Sequence, residues 1–169
     1  MNQFGILYLD DEATNLRIFK TAFKRYYNVF TAITVDEALH ILRTENIELI
    51  ITDQRMPEMS GVEFLNKIIP EFPNPLRIIL TGFSDVEAII QAINDSRIFK
   101  YVTKPWDKDN LKQIIDEALG IYETEKEKLN TLGSSKHKIV SLEDEIKALQ
   151  EEIARRDAEI HKLKLRLDY

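Results

Sequence analysis

The chain has 169 residues, 44% of them hydrophobic and 31% charged, with a formal net charge of -6. That balance supports one domain with a packed core plus some further chain, and its sign argues against a nucleic-acid grip built on phosphate contacts. The absence of cysteine excludes disulfide scaffolds, cysteine zinc sites, iron–sulfur clusters and thiol catalysis, and three scattered histidines are too few for an imidazole metal cluster.

The cysteine count fits a reducing cytoplasm, which is the expected location. No apolar run reaches the roughly 18 residues of a membrane span, and the first residues lack the basic-then-apolar order of a secretory signal.

Phe4–Leu9 is a short apolar run that predicts a buried strand, ending in Asp10-Asp11-Glu12. An amphipathic helix follows over 13–26. Val29–Ala32 predicts a second strand, and a capping box, Thr34…Glu37, opens a helix over 35–45. Leu49–Thr52 is the third strand and delivers Asp53. A second capping box, Ser60…Glu63, opens a helix over 61–69. Leu76–Leu80 is the fourth strand, ending in Thr81, and Ser84…Glu87 caps a helix over 85–94. Phe99–Val102 is the fifth strand, followed by Lys104-Pro105.

Five β-α alternations predict an α/β fold: a parallel five-stranded sheet of order 2-1-3-4-5 with helices on both faces, flavodoxin-like. The predicted domain covers 1–119. All five prolines lie in that part, which carries 13 basic against 18 acidic residues; 120–169 carries 10 against 11.

Ligands of such sheets bind beyond the carboxyl ends of the strands. Strands 1 and 3 are neighbours in this order, so Asp10, Asp11 and Asp53 are expected in one crevice, with Thr81 and Lys104 facing it from strands 4 and 5. Clustered carboxylates repel and call for a cation; hard oxygen donors suit Mg²⁺. A carboxylate nucleophile, a divalent cation, a hydroxyl and a lysine are what phosphoryl transfer to aspartate needs. Taken singly, each has a plainer role: an Asp after a strand caps a turn or complements a helix dipole, and a lysine is solvated. The argument lies in their joint occurrence.

Four segments carry a resemblance: LYLDDE at 7–12, ITDQRMPEMSGVEFL at 51–65, ILTGFSD at 79–85 and YVTKPWD at 101–107. With them, residues 4–119 resemble the receiver domain of two-component response regulators. The resemblance implies that Asp53 is the phosphoacceptor and that Mg²⁺ is held by Asp11, Asp10, Asp53 and the backbone carbonyl of Arg55, with Asp10 acting directly or through water. Thr81 resembles the hydroxyl that turns toward the phosphoryl group, Lys104 the cation that pairs with it, and Tyr101 the aromatic switch. A cis Lys104–Pro105 bond is implied as well. Met56, Met59 and Trp106 read as local packing, Gly61 as a close approach of loop to helix. Arg55 and Phe83 flank the site, where receivers tune phosphoryl lifetime.

Such a chain is a signalling domain with self-phosphotransfer and autodephosphorylation only, phosphorylated by a sensor histidine kinase or a histidine phosphotransfer protein. The KPWD stretch resembles receivers attached to HD-type phosphodiesterases and to some transcriptional activators. An aspartate-nucleophile phosphatase of the haloacid-dehalogenase type would want Asp-x-Asp after strand 1, where this chain has adjacent acids.

Residues 120–169 have a heptad pattern. With Ile139 at a, the a positions are Ile139, Ile146, Ile153, Ile160 and Leu167; the d positions are Leu142, Leu149, Arg156 and Leu163. Ile at a with Leu at d favours a parallel two-stranded coiled coil, with Arg156 a polar layer. Across the dimer, Lys138–Glu143 and Glu159–Lys164 attract and Glu152–Asp157 repel. The seam phase continues back into the last receiver helix, and Gly133-Ser134-Ser135 is the expected place for a break. The expectation is a homodimer with no direct nucleic-acid contact and no membrane contact, relaying phosphorylation into its coiled coil. The alternatives are a non-catalytic dimeric scaffold, or the N-terminal part of a longer regulator, since the chain ends within a heptad.

Overall fold

In the computed structural model, residues 4–82 and 98–167 are described. The expected helix over 85–94, its Ser84…Glu87 box and Phe83 lie outside them.

Five strands, β1 (Gly5–Leu9), β2 (Asn28–Ala32), β3 (Leu49–Asp53), β4 (Leu76–Thr81) and β5 (Ile98–Thr103), form one parallel sheet of order β2-β1-β3-β4-β5. The order expected from the alternation of elements is the observed one. β1, β3 and β4 are buried throughout, which is why they read as unbroken apolar runs rather than alternating ones.

Alternate side chains still point to opposite faces. On one face Ile6, Tyr8, Ile51 and Leu80 pack with Phe19 and Phe23 of α1 (Ala13–Phe23). Leu111, Ile115 and Ala118, from the start of α4 (Lys108–Leu167), complete that layer. On the other face Leu7, Leu9, Ile50 and Ile79 meet Ala38 and Leu42 of α2 (Val35–Thr44) and Phe64, Leu65 and Ile68 of α3 (Gly61–Ile68). Arg77 is wholly buried in β4, where Nη1 and Nη2 donate to the carbonyls of Pro75 and Phe72 and tie down the loop before the strand.

The helix ends refine the sequence reading. The Ser60…Glu63 box is complete. At α2 only half of it forms: Thr34 accepts from the Glu37 N–H, but the Glu37 carboxylate takes the N–H of Ile33. α1 stops at Phe23, short of the expected residue 26, because the chain tightens there. The N–H groups of Tyr26 and Tyr27 both donate to the Phe23 carbonyl, which turns Tyr27 into the core and feeds β2.

The chain divides into two units, Met1–Glu123 and Thr124–Tyr169, a boundary a few residues beyond the one expected. At 133–135, the place of a possible break, α4 runs on as helix. One glycine costs about 1 kcal/mol in a helix interior, and the Lys, Glu and Leu residues around it are strong helix formers. In the second unit the seam residues Ile139, Leu142, Ile146, Leu149 and Ile153 are each about half exposed. Arg156 pairs with Glu152 one turn back, at 2.7 Å.

No helix among the described residues is long and apolar enough to cross a membrane.

Candidate functional site

The carboxyl ends of β1, β3 and β4 and the residues after β5 enclose a crevice of about 430 Å³, lined by Asp10, Asp11, Asp53, Arg55, Thr81 and Lys104 among others. Parallel pairing of β1 with both β2 and β3 puts Asp10 and Asp53 at one edge. Every site residue expected to face the crevice lines it.

The three acids differ. Asp10 is 1% exposed and Asp53 8%, whereas Asp11 is open to solvent. Lys104 Nζ donates to Asp10 Oδ2 at 2.8 Å and to Asp53 Oδ1, joining the two buried carboxylates. The cation that the acids demand is thus supplied in part by the chain itself. The N–H of Arg55 donates to Asp53 Oδ2 at 2.6 Å. Thr81 is buried, and its hydroxyl donates to the Gly82 carbonyl at 3.2 Å.

These contacts separate the ionisation of the two buried acids. Burial lifts the Asp53 carboxyl above the ordinary carboxylate range, and the bonds from Lys104 and Arg55 offset this only in part. Burial pushes Asp10 the same way, but bonds from Lys104, Tyr8, the Glu12 N–H and Asn15 outweigh it and hold that carboxyl below the usual range. Burial alone would discharge Lys104; the hydrogen bonds it donates to both aspartates, and their charge, reverse this and keep it a cation.

Tyr101 does not line the crevice. Its ring packs against the core on the α2–α3 face, and its buried hydroxyl has no hydrogen-bond partner among the described residues. The Lys104–Pro105 bond is cis, as the resemblance implied. Gly61 is confirmed as a close approach: a Cβ there would lie 2.3 Å from the Asp53 carbonyl oxygen. Gly61→Ala is expected to cost about 2 kcal/mol of stability, the scale of an overpacked core, and to shift Asp53. A melt within error of the parent would show that the loop yields freely.

Two residues of the site were missed in the sequence. Tyr8 donates its hydroxyl to Asp10 Oδ2 at 2.5 Å, and Asn15 donates its amide to both Asp10 oxygens at 3.0 and 3.1 Å. The signals were available: Tyr8 lies two residues before Asp10 in a strand, hence on its side of the sheet. Asn15 lies in the first turn and a half of the helix that Asp10 precedes.

Among the described residues no three carboxylates or imidazoles stand together in the manner of a metal centre. Mg²⁺ does not require that. It commonly takes one or two carboxylates and keeps several waters. Asp11, Asp53 and the Arg55 backbone are a hard-oxygen set lining one crevice, so the donor chemistry fits.

The residue set and the sheet order define an acidic crevice at the carboxyl edge of a parallel sheet, and comparison with known proteins places the chain in a family. The model of the response regulator receiver domain matches residues 6–116, and the chain belongs to that family. It is 35% identical over 125 residues to the hydrogenase transcriptional regulatory protein HoxA of Bradyrhizobium diazoefficiens, covering 74% of this chain and 26% of that one. To the regulatory protein AtoC of Escherichia coli it is 32% identical over 123 residues, with 72% and 26% coverage. The chain thus spans about a quarter of the length of these relatives. Among solved structures it is similar to the signal receiver domain of an HD domain-containing protein from Pseudomonas fluorescens, with TM-score 0.68 and 29% identity over 73% of this chain and 99% of that one. It is also similar to the response regulator TrrA of Thermotoga maritima in complex with Mg²⁺-BeF, with TM-score 0.59 and 28% identity over 68% and 98%.

Proposed function

We propose that this receiver accepts a phosphoryl group on Asp53 from a sensor histidine kinase or a histidine phosphotransfer protein and passes the change into a dimeric coiled coil. The observation that carries the reading is the Lys104 bridge between Asp53 and Asp10, inside a crevice that also holds Asp11, Arg55 and Thr81.

In the transfer an Asp53 oxygen attacks the phosphorus of phosphohistidine. An O–P bond forms as the P–N bond breaks, and the imidazole leaves with the electron pair of that bond. Lys104 already stands against the Asp53 carboxylate and stabilises the negative charge gathered there. Thr81 gives up its bond to Gly82 and turns its hydroxyl to the phosphoryl oxygens. Asp11, Asp53 and the Arg55 carbonyl would hold Mg²⁺, with Asp10 contributing through water. When bound, the ion neutralises charge on the phosphoryl group. Tyr101 then repacks as Thr81 moves; its hydroxyl has no bond to give up.

For the relay, the half-exposed Ile and Leu residues of the second unit make a stripe that a second copy of the chain covers. The Lys138–Glu143 pair across the dimer favours parallel alignment. Output runs through this helix pair and uses no direct nucleic-acid contact, consistent with the net charge of -6.

The reading is tested by intact mass after incubation with Mg²⁺ and a small acyl phosphate, with and without a purified histidine phosphotransfer donor. One added phosphoryl group, released by alkali as an acyl phosphate is, supports it; no addition under either donor overturns it. For the dimer, sedimentation equilibrium is expected to give twice the chain mass, and the single mass once Ile146 and Leu149 are both replaced by Lys. A monomeric parent would refute the relay.

A further inference from the structure

Tyr8 is fully buried, its ring centroid 4.5 Å from that of Phe19. Its hydroxyl donates to Asp10 Oδ2, beneath the lining of the crevice. The same oxygen receives Lys104 Nζ at 2.8 Å and Asn15 Nδ2 at 3.1 Å; Oδ1 receives the Glu12 N–H at 2.9 Å and Asn15 Nδ2 at 3.0 Å. A carboxylate presents about four lone-pair directions. Four groups of the chain already occupy those of Asp10, and the residue is only 1% exposed.

A carboxylate in that condition is a poor direct ligand for a cation, because a metal–oxygen bond has to displace a donor. It is a good anchor for a lysine. The two demands on the acid pair conflict, and the structure resolves them by giving the buried acid to Lys104 and the exposed one, Asp11, to solvent. The donor beneath Asp10 differs from a water: its ring is wedged in the core and cannot swing aside when a cation enters.

We propose that Tyr8 and Asn15 are positioning residues that hold Asp10 off the metal and dedicate it to Lys104. Direct coordination then falls to Asp11 and Asp53, and the cation is bound more weakly than three free acids would bind it. This rests on reading the crevice as an Mg²⁺-dependent phosphoacceptor site.

The test is calorimetric titration of the full chain with MgCl₂, with no phosphoryl donor present, for the parent, Tyr8→Phe and Asn15→Ala. Tyr8→Phe keeps the ring and loses only the donor. It is expected to tighten Mg²⁺ binding about tenfold, the lower edge of what supporting partners contribute at metal sites. A residue that merely held the fold together would weaken binding when altered, so the sign separates the two roles. Should Tyr8→Phe fail to fold, Asn15→Ala, which removes a partly buried amide, decides in its place with the same expected direction. Equal or weaker binding in the deciding variant overturns the proposal and leaves the phosphoacceptor reading intact. A parent chain that binds no Mg²⁺ overturns both.

Discussion

Lys104→Met is expected to lower the stability of the first unit by about 3 kcal/mol at neutral pH, because removing one partner of a buried ion pair strands the other charge. Here it strands two: Asp10 and Asp53 are 1% and 8% exposed, and Lys104 bonds to both. In a domain of this size that is a drop in thermal midpoint of the order of 10 °C, read by circular dichroism without divalent cation. The deficit has a defined pH dependence. Without the lysine, the Asp53 carboxyl, already lifted above its ordinary value by burial, loses the largest bond that offsets the lift. Groups raised in the folded state lower stability at every pH above the folded value, and the loss fades as pH falls through it. Acid therefore narrows the gap between variant and parent, and Mg²⁺ narrows it at neutral pH. A midpoint equal to that of the parent at pH 7 would mean that the bridge contributes nothing.

Asp53→Asn is expected to abolish phosphoryl uptake altogether, since an amide offers no anionic oxygen to attack phosphorus. The same variant is expected to melt higher than the parent at neutral pH. The Asp53 carboxyl lies above its ordinary range, so its charge is a cost once pH exceeds the folded value, and the amide removes that cost. Asp10→Asn has the opposite sign. Its carboxyl is held low by Lys104 and three further donors; the stability it contributes is present above the unfolded value and is lost as pH falls through the folded one. Two acids a few ångströms apart are thus expected to move the melting curve in opposite directions. Parallel shifts would show that the lysine is shared otherwise than the geometry indicates.

Much of this was legible in the chain. The strands read correctly because buried parallel strands are short and almost wholly apolar, and the site acids announced themselves at strand ends, Asp10-Asp11 after β1 and Asp53 closing β3. The limits have physical causes. The end of α1 was overrun because its amphipathic pattern continues through Tyr26 and Tyr27, while the chain leaves the helix to bury Tyr27. Whether the helix breaks at Gly133 was left open by the sequence, because one glycine is unfavourable while helix propagation across it is cheap beside the turns on either side; the helix runs through. Tyr8 was counted as core because its ring is core; its hydroxyl function depends on where Asp10 turns its oxygens, which composition and period do not reveal. That Lys104 reaches both buried acids is likewise a matter of rotamer and depth.

The chain contains a single tryptophan. Trp106 follows Pro105 directly, and its indole sits 6.2 Å from the Phe19 ring and 5.8 Å from that of Phe23, on the helix that carries Asn15. Trp106 is two residues from Lys104 in the chain and is the one chromophore that can be excited selectively. Its emission, with no label and no coupled assay, is therefore expected to change as the crevice fills; emission unchanged on adding Mg²⁺ and an acyl phosphate would show that the indole does not sense it.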